Sequence, residues 1–159
     1  MSCIFMRHLP FLKQLILLII ILISSPVSAH KNNHQKLVLV TANHNQINTL
    51  QNSQVRKLFL NIPIINNNKQ LIPLINNSDE LLYEIFLQKI AYMSERNYER
   101  LLIAKTFRTG RPRPERYSDN NKLIKALKNT SNSVSIMWED IAKKQTEIRI
   151  VQTLWEDRH

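Results

Sequence analysis

The chain has 159 residues, a formal net charge of +10, and a composition that is 43% hydrophobic and 21% charged. This balance predicts one modest folded domain and excludes a disordered chain. One cysteine cannot pair within the chain, and one glycine, Gly110, cannot build a phosphate-cradling glycine loop, so both of those scaffolds are excluded. The excess of Lys and Arg favours an acidic partner or surface.

The N-terminal residues have the pattern of a secretory signal peptide. Nine unbroken aliphatic residues, 15–23, follow Arg7 and Lys13 and precede a small-residue cleavage pattern that ends at Ala29. A membrane anchor is the alternative, although a spanning helix needs about 20 apolar residues. We therefore predict a signal peptide at 1–29 that is cleaved after Ala29, periplasmic localisation, and no other attachment to the membrane.

Cleavage would leave a mature chain of residues 30–159. The leader carries two basic and no acidic residues, so the formal charge falls from +10 to +8, and no cysteine remains. Residues 30–36 are polar and are predicted to be a disordered N-terminus. Residues 37–159 are predicted to form one domain.

Within that domain, hydrophobic periodicity predicts strands that alternate with helices, which indicates the α/β class. Pro73 predicts that the second strand lies at an edge or bends. In chain order we predict a strand at 37–41, a helix capped by Ser53, a turn at 66–68, a strand at 71–75, a helix at 79–92 capped by Ser78, a helix capped by Ser94 that carries Lys105, an irregular loop at 107–117, a helix from Ser118 or Asp119, a strand at 134–138, a short helix at 139–144 and a strand at 148–155.

Asparagine is unusually frequent, with seventeen residues that all lie in 30–159. Turns and helix ends usually recruit glycine for a positive φ, and asparagine is the next most tolerant residue there. We therefore predict that asparagine replaces glycine in the loops. An asparagine-rich binding role is the alternative.

Five segments of the domain carry a family resemblance. They are Ile47-x-x-Leu50 with 55–60, then 71–74, 81–86, 107–114 and 123–137. Their order and spacing resemble those of phosphate-type periplasmic substrate-binding proteins, in which a leucine and a helix precede an x-Pro-Val strand, a helix that ends in Phe, a Phe-x-Gly-x-x-x-Pro loop and a further strand. The resemblance covers 37–155. It implies a single periplasmic-binding-protein-like lobe, with a small mixed sheet flanked by helices, that binds a solute such as phosphate in association with transport.

The same resemblance locates one candidate anion contact. In the family, an Arg, a Ser-Gly-Thr turn and the backbone N–H groups of the next helix hold the oxyanion. Here the Arg position resembles Asn76, the turn is absent, and Asp79 and Glu80 place negative charge at the start of the helix. Ser78 is the residue that the resemblance retains as a ligand contact, and helix capping is its alternative role.

A basic segment supplies the other candidate anion contacts. Arg108, Arg111 and Arg113 surround Gly110 and two prolines. Guanidinium groups on a rigid loop can hold phosphate, sulfate or an anionic polysaccharide. The alternative is a solvated face that neighbouring glutamates partly neutralise. Nucleic acid is not expected as a partner, because export would separate the chain from it.

We predict no enzymatic activity, metal or cofactor. The Asp/Glu pairs are adjacent in sequence, so their side chains point apart, and the serines lack a nucleophile-elbow motif. A copper site at His30 would need a second histidine on rigid structure, whereas His34 lies in the polar tail. Two functions remain: binding of a small anion, or docking onto an envelope sensor or transporter with ligand binding lost.

Overall fold

This computed structural model describes residues 35–157. The predicted signal peptide at 1–29, and residues 30–34 of the polar segment, lie outside the described residues. The last two residues of the segment 30–36 are paired with the C-terminal strand, because the Gln35 carbonyl accepts from Asp157 N (3.0 Å) and Lys36 Nζ lies 2.8 Å from Glu156 Oε1. Backbone pairing needs no apolar side chain, so the fold begins earlier than hydropathy indicates.

Short strands and helices alternate along the described residues, as predicted. The strands are β1 (Lys36–Ala42), β2 (Ile65–Asn66), β3 (Lys69–Gln70), β4 (Ile72–Pro73), β5 (Ile75–Asn76), β6 (Arg116–Tyr117), β7 (Ser133–Trp138) and β8 (Ile148–Glu156). The helices are α1 (Asn52–Phe59), α2 (Glu80–Phe86), which continues as a π-helical turn (Leu87–Ala91), α3 (Glu95–Thr109), α4 (Asn120–Asn129) and α5 (Glu139–Ala142). No helix within 35–157 has the length and apolar character needed to cross a bilayer.

The central sheet has four strands in the order β4–β7–β1–β8. β1 is antiparallel to β7 and β8, whereas β4 is parallel to β7. Strands β5 and β6 form a separate parallel pair, and β2 and β3 form a hairpin. The small mixed sheet and the α/β class are therefore confirmed, and Pro73 lies on an edge strand as predicted.

Alternating residues of β1 face two hydrophobic clusters, one on each side of the sheet. Leu37 and Leu39 belong to the cluster that also contains buried residues of α1, α2 and α3. Val38 and Val40 belong to the cluster that contains the buried face of α4. Burial on both faces explains why β1 is an unbroken apolar run, and the flanking helices complete a layered α/β architecture.

The start of α1 differs from the prediction. The helix begins at Asn52, and Gln51 rather than Ser53 precedes its first turn. The Gln54 side chain accepts a hydrogen bond from Gln51 N at 2.9 Å. Gln54 N in turn donates to the Gln51 carbonyl at 2.8 Å, so this first-turn N–H is satisfied without a serine side chain.

The end of α3 is a second correction. The helix continues to Thr109, so Phe107 and Arg108 are helical and do not lie in an irregular loop. Gly110 ends the helix with φ of 68°, and its N–H donates to the Thr106 carbonyl at 2.9 Å. The terminating signal is the glycine itself, and the residues before it are free to remain helical.

Asparagine does take the left-handed backbone positions. Among the described residues, the non-glycine residues with positive φ are Asn61, Asn67, Asn68, Asn132 and Tyr92. The two-residue turn of the β2–β3 hairpin, at 67–68, needs positive φ at both positions, and asparagine supplies both.

Candidate anion-binding cleft

A cleft of about 390 Å³ opens between the edge strand β4 and the proline-rich segment 111–115. It lies where the chain changes its pairing partner: Leu74 N donates to the Val134 carbonyl of β7, and Ile75 N donates to the Glu115 carbonyl, both at 2.8 Å. Pro73 has no N–H on the open side, which stops another strand from adding there. The pairing switch therefore leaves a gap that backbone pairing does not close.

The segment 111–115 forms one wall of the cleft and is held in place by its own chemistry. Pro112 and Pro114 restrict the backbone, and Asn61 Nδ2 donates to the Pro112 carbonyl at 3.1 Å. Arg113 Nη1 lies 3.6 Å from Glu99 Oε2 on α3. Side chains on this wall thus project from a constrained backbone, which lowers the entropy lost on binding.

Two of the four predicted site residues line this cleft. Arg111 and Arg113 are both on its wall, whereas Arg108 lies in the last turn of α3 and Ser78 follows β5, and neither of these contributes to the lining. Within residues 35–157 the Arg111 guanidinium has no ion pair and no hydrogen bond to another side chain. Arg111 is therefore the cation most available to a ligand in the cleft.

Glu115 is the acidic residue of the lining, and its carboxylate is already engaged. Tyr117 Oη donates a hydrogen bond to Glu115 Oε2. Burial, together with this carboxylate, raises the pKa of Tyr117 to about 12, so the phenol keeps its proton well into the alkaline range. The hydrogen bond occupies one oxygen of the carboxylate, and the charge of Glu115 still opposes an anion in the cleft.

Ser78 belongs to a separate polar cluster at the end of β5. Its Oγ lies 2.7 Å from Asn76 Oδ1 and 3.0 Å from Asn120 Oδ1, which are both acceptors. Asn76 is fully buried, and its Nδ2 donates to the Ile136 carbonyl at 3.0 Å. The single hydroxyl proton of Ser78 is therefore used inside the fold.

Ser78 is also not the cap of α2, which corrects the prediction. Asp79 Oδ1 accepts from Leu82 N at 2.7 Å, and the same geometry recurs at α4, where Asp119 Oδ1 accepts from Lys122 N at 2.8 Å. A carboxylate therefore caps the N-terminus of both α2 and α4. At α2 this is the position where the resemblance places an oxyanion, and the negative charge opposes an anion there.

Arg116 belongs to the basic segment that neighbouring glutamates were expected to neutralise in part, but its contact with Tyr83 was missed by sequence reasoning. Its guanidinium lies 5.3 Å from the centroid of the Tyr83 ring, donates to Tyr83 Oη at 2.7 Å, and pairs with Glu95 and Glu99 on α3. Burial raises the pKa of Tyr83 to about 12, against the opposing effect of Arg116. The four-residue spacing of the two glutamates was the available signal, since it places both on one helix face.

These pairings sort the basic segment into two groups. Arg113 and Arg116 are held by glutamates, whereas Arg108 and Arg111 have no ion-pair partner in the described part of the chain. No three His, Cys, Asp or Glu side chains among residues 35–157 come together in a way that could hold a metal ion.

No protein-family model matches the chain, and no curated protein matches it significantly. Among solved structures, the crystal structure of PstS from Borrelia burgdorferi resembles it with a TM-score of 0.55 at 12% sequence identity. The match covers 75% of this chain and 47% of that chain, so the chain spans about half the length of PstS. At this identity the likeness shows the fold, a distant periplasmic-binding-protein-like α/β architecture, as the resemblance implied.

Proposed function

We propose that this chain is an exported, non-catalytic binding module that holds a small oxyanion, such as phosphate or sulfate, in the cleft beside β4. The observation that carries the proposal is the position of Arg111: it lies on a constrained wall of the cleft with no ion-pair partner within residues 35–157. The distant likeness to PstS supports a solute-binding-like fold. The basic composition supports an anionic ligand.

The cleft has the parts that oxyanion binding needs. Arg111 offers a planar donor fork that can hold two oxygens of one phosphate or sulfate group. Arg113 adds a second cation on the same wall, and its pair with Glu99 is loose at 3.6 Å. Leu71 and Pro73 form an apolar wall that shields one side from water and strengthens the charge interaction.

Isothermal titration calorimetry with phosphate and with sulfate at low ionic strength tests this function. Saturable heat is expected for the wild-type chain, and the double variant Arg111→Ala with Arg113→Ala should lose at least tenfold in affinity, because a hydrogen bond to a charged group contributes about 1.5–3 kcal/mol. Lys125→Ala removes an exposed cation of α4 outside the cleft and serves as the control. No heat from the wild type, or equal losses in both variants, would contradict anion binding at this cleft.

A docking module for an envelope sensor or transporter is the second candidate function. It is favoured by the carboxylates of Asp79 and Asp119, which close the two helix starts to an anion. In this case a defined partner should cross-link to the chain in membrane extracts, equally for the wild type and the Arg111→Ala/Arg113→Ala variant, while calorimetry shows no anion binding. A small oxyanion that copurifies without any partner contradicts it.

A further inference from the structure

The outward face of α3 carries a narrow stripe that the cleft does not use. With 3.6 residues per turn, its members lie within about 60° of arc and extend about 16 Å along the helix. Opposite the stripe, Tyr98 and Leu102 are buried in the core. The members of this basic–aromatic stripe are Arg96, Arg100, Ile103 and Phe107.

The apolar half of the stripe is unusually exposed. Phe107 has 87% of its surface accessible, the largest value among the exposed large hydrophobic residues of the described chain, and Ile103 has 42%. No aromatic or cation–π contact within residues 35–157 involves Phe107. With 87% of its surface accessible, the ring projects from α3 into solvent.

The charged half of the stripe is entirely positive. Arg96 and Arg100 have no ion pair in the described part of the chain, and the two glutamates of α3, Glu95 and Glu99, pair with arginines of the segment 113–116. Arg108, in the last turn of α3, lies about 100° around the helix from Phe107 and is not a member of the stripe. The outward face thus combines unneutralised guanidinium groups with a protruding ring.

We propose that this basic–aromatic stripe docks the domain onto an anionic lipid surface, which departs from the sequence-based expectation of no membrane attachment beyond the signal peptide. A bilayer accepts a projecting ring without a preformed pocket, whereas a protein partner would need a cavity shaped for Phe107. The planar layer of phosphate head groups complements guanidinium groups that surround the base of such a ring. The aliphatic stems of Arg96 and Arg100 can lie along the apolar boundary while their charged heads remain in the head-group layer.

This proposal does not rest on anion binding in the cleft, because the stripe and the cleft share no residue. Free phosphate and lipid phosphate offer guanidinium groups the same ligand chemistry. The two sources differ in that only a lipid surface also provides an apolar contact for Phe107. Only a lipid surface offers both a phosphate layer and an apolar phase. Inorganic phosphate should therefore leave membrane binding unchanged at constant ionic strength.

Cosedimentation with lipid vesicles tests the proposal. The chain should bind vesicles of equal parts phosphatidylcholine and phosphatidylglycerol, and bind vesicles of phosphatidylcholine alone far less. Phe107→Ala should weaken this binding about tenfold, and Arg96→Ala with Arg100→Ala on the order of twentyfold or more. All variants are prepared with the same N-terminal residues. Any contribution of residues 1–29 to vesicle binding is therefore the same in every variant.

Matched control variants separate docking from general adsorption of a basic protein. Lys122→Ala with Lys125→Ala removes two exposed charges from α4, and Ile65→Ala removes an exposed apolar side chain from the β2–β3 hairpin. These controls should retain most of the binding. Equal losses in stripe and control variants, no preference for anionic vesicles, or competition by inorganic phosphate would each overturn the proposal. Circular dichroism of every variant confirms that α3 remains folded.

Discussion

Asn76 is fully buried, and both ends of its side-chain amide are used. Nδ2 donates to the Ile136 carbonyl at 3.0 Å, and Oδ1 accepts from the backbone N and the Oγ of Ser78. The side chain thereby links the end of β5 to the central sheet and to the start of α2. Because the side chain is buried, water cannot replace these hydrogen bonds when the amide is removed.

We expect Asn76→Ala to lower the free energy of unfolding by about 2–4 kcal/mol, because it leaves several buried groups without partners at about 1–3 kcal/mol each. Urea denaturation followed by circular dichroism measures this loss. The control is Asn121→Ala on the exposed face of α4, which should change stability by less than about 0.5 kcal/mol. Similar small effects in both variants would show that the Asn76 network contributes little.

Tyrosine ionisation gives a second prediction at the scale of single residues. Burial raises the pKa of Tyr83 to about 12, and burial also raises that of Tyr98, from an ordinary value near 10. Above pH 10 the unfolded chain releases these protons while the folded chain keeps them. The stabilisation is therefore complete below pH 10 and is lost as the pH rises towards 12 and beyond.

Urea unfolding between pH 9 and 12 tests this pH dependence. Lysines titrate in the same range, so the informative quantity is the difference between the wild type and Tyr83→Phe, which keeps the ring beside Arg116 and removes the ionisable group. The wild type should lose stability more steeply than the variant above pH 10. Parallel curves would mean that Tyr83 ionises equally in both states.

For the candidate site, residue type was predictable from the sequence and placement was not. The sequence indicates that arginines around two prolines can hold an anion, and the structure places Arg111 and Arg113 in a cleft. It could not show that Arg116 is engaged by Tyr83, because those two residues are distant in the chain. Ser78 Oγ likewise lies 3.0 Å from Asn120 Oδ1, in a residue 42 positions further along the chain.

The helix ends show where local signals compete. The π-helical turn after α2 ends at Ala91, and the next residue, Tyr92, adopts φ of 57° although its side chain disfavours that conformation. Its ring is 67% exposed and stacks with Arg56, whose Cζ lies 5.6 Å from the ring centroid. A backbone cost and a weak cation–π contact thus oppose each other at one residue.

Two substitutions at Tyr92 separate these effects. Tyr92→Asn and Tyr92→Ala both remove the ring, but only asparagine tolerates the left-handed conformation. We therefore expect the Asn variant to be more stable than the Ala variant by about 1 kcal/mol in urea denaturation. If the two variants are equally stable, the backbone at 92 is not strained.

Element positions were predictable where hydrophobic period decides them. β1, β7 and β8 and the buried faces of α2 and α4 follow the apolar pattern, because burial of those side chains is what forms them. The caps of α1 and α2 were mispredicted, since Ser, Asp and Gln all compete for the same free N–H groups. The predicted end of α3 is too early, because Pro112 and Pro114 indicate an irregular segment but do not show that the helix continues up to Gly110.

At the scale of the whole molecule, the described residues form a layered α/β domain with a fold distantly similar to PstS and about half the length of that protein. Fold class followed from strand–helix alternation, whereas the cleft follows from a change of pairing partner between Leu74 and Ile75 that no sequence pattern encodes. The signal peptide and periplasmic location stay predictions. The central claim is that Arg111 binds an oxyanion in that cleft.

Nuclear magnetic resonance of the arginine side chains tests this claim most directly. During a titration with inorganic phosphate at low ionic strength, the Nε–H signal of Arg111 should shift and saturate, and that of Arg113 should follow. Arg56 is the internal reference, because its Nε already donates to the Ala91 carbonyl at 3.1 Å. If Arg111 and Arg56 shift alike and without saturation, the cleft does not bind the anion.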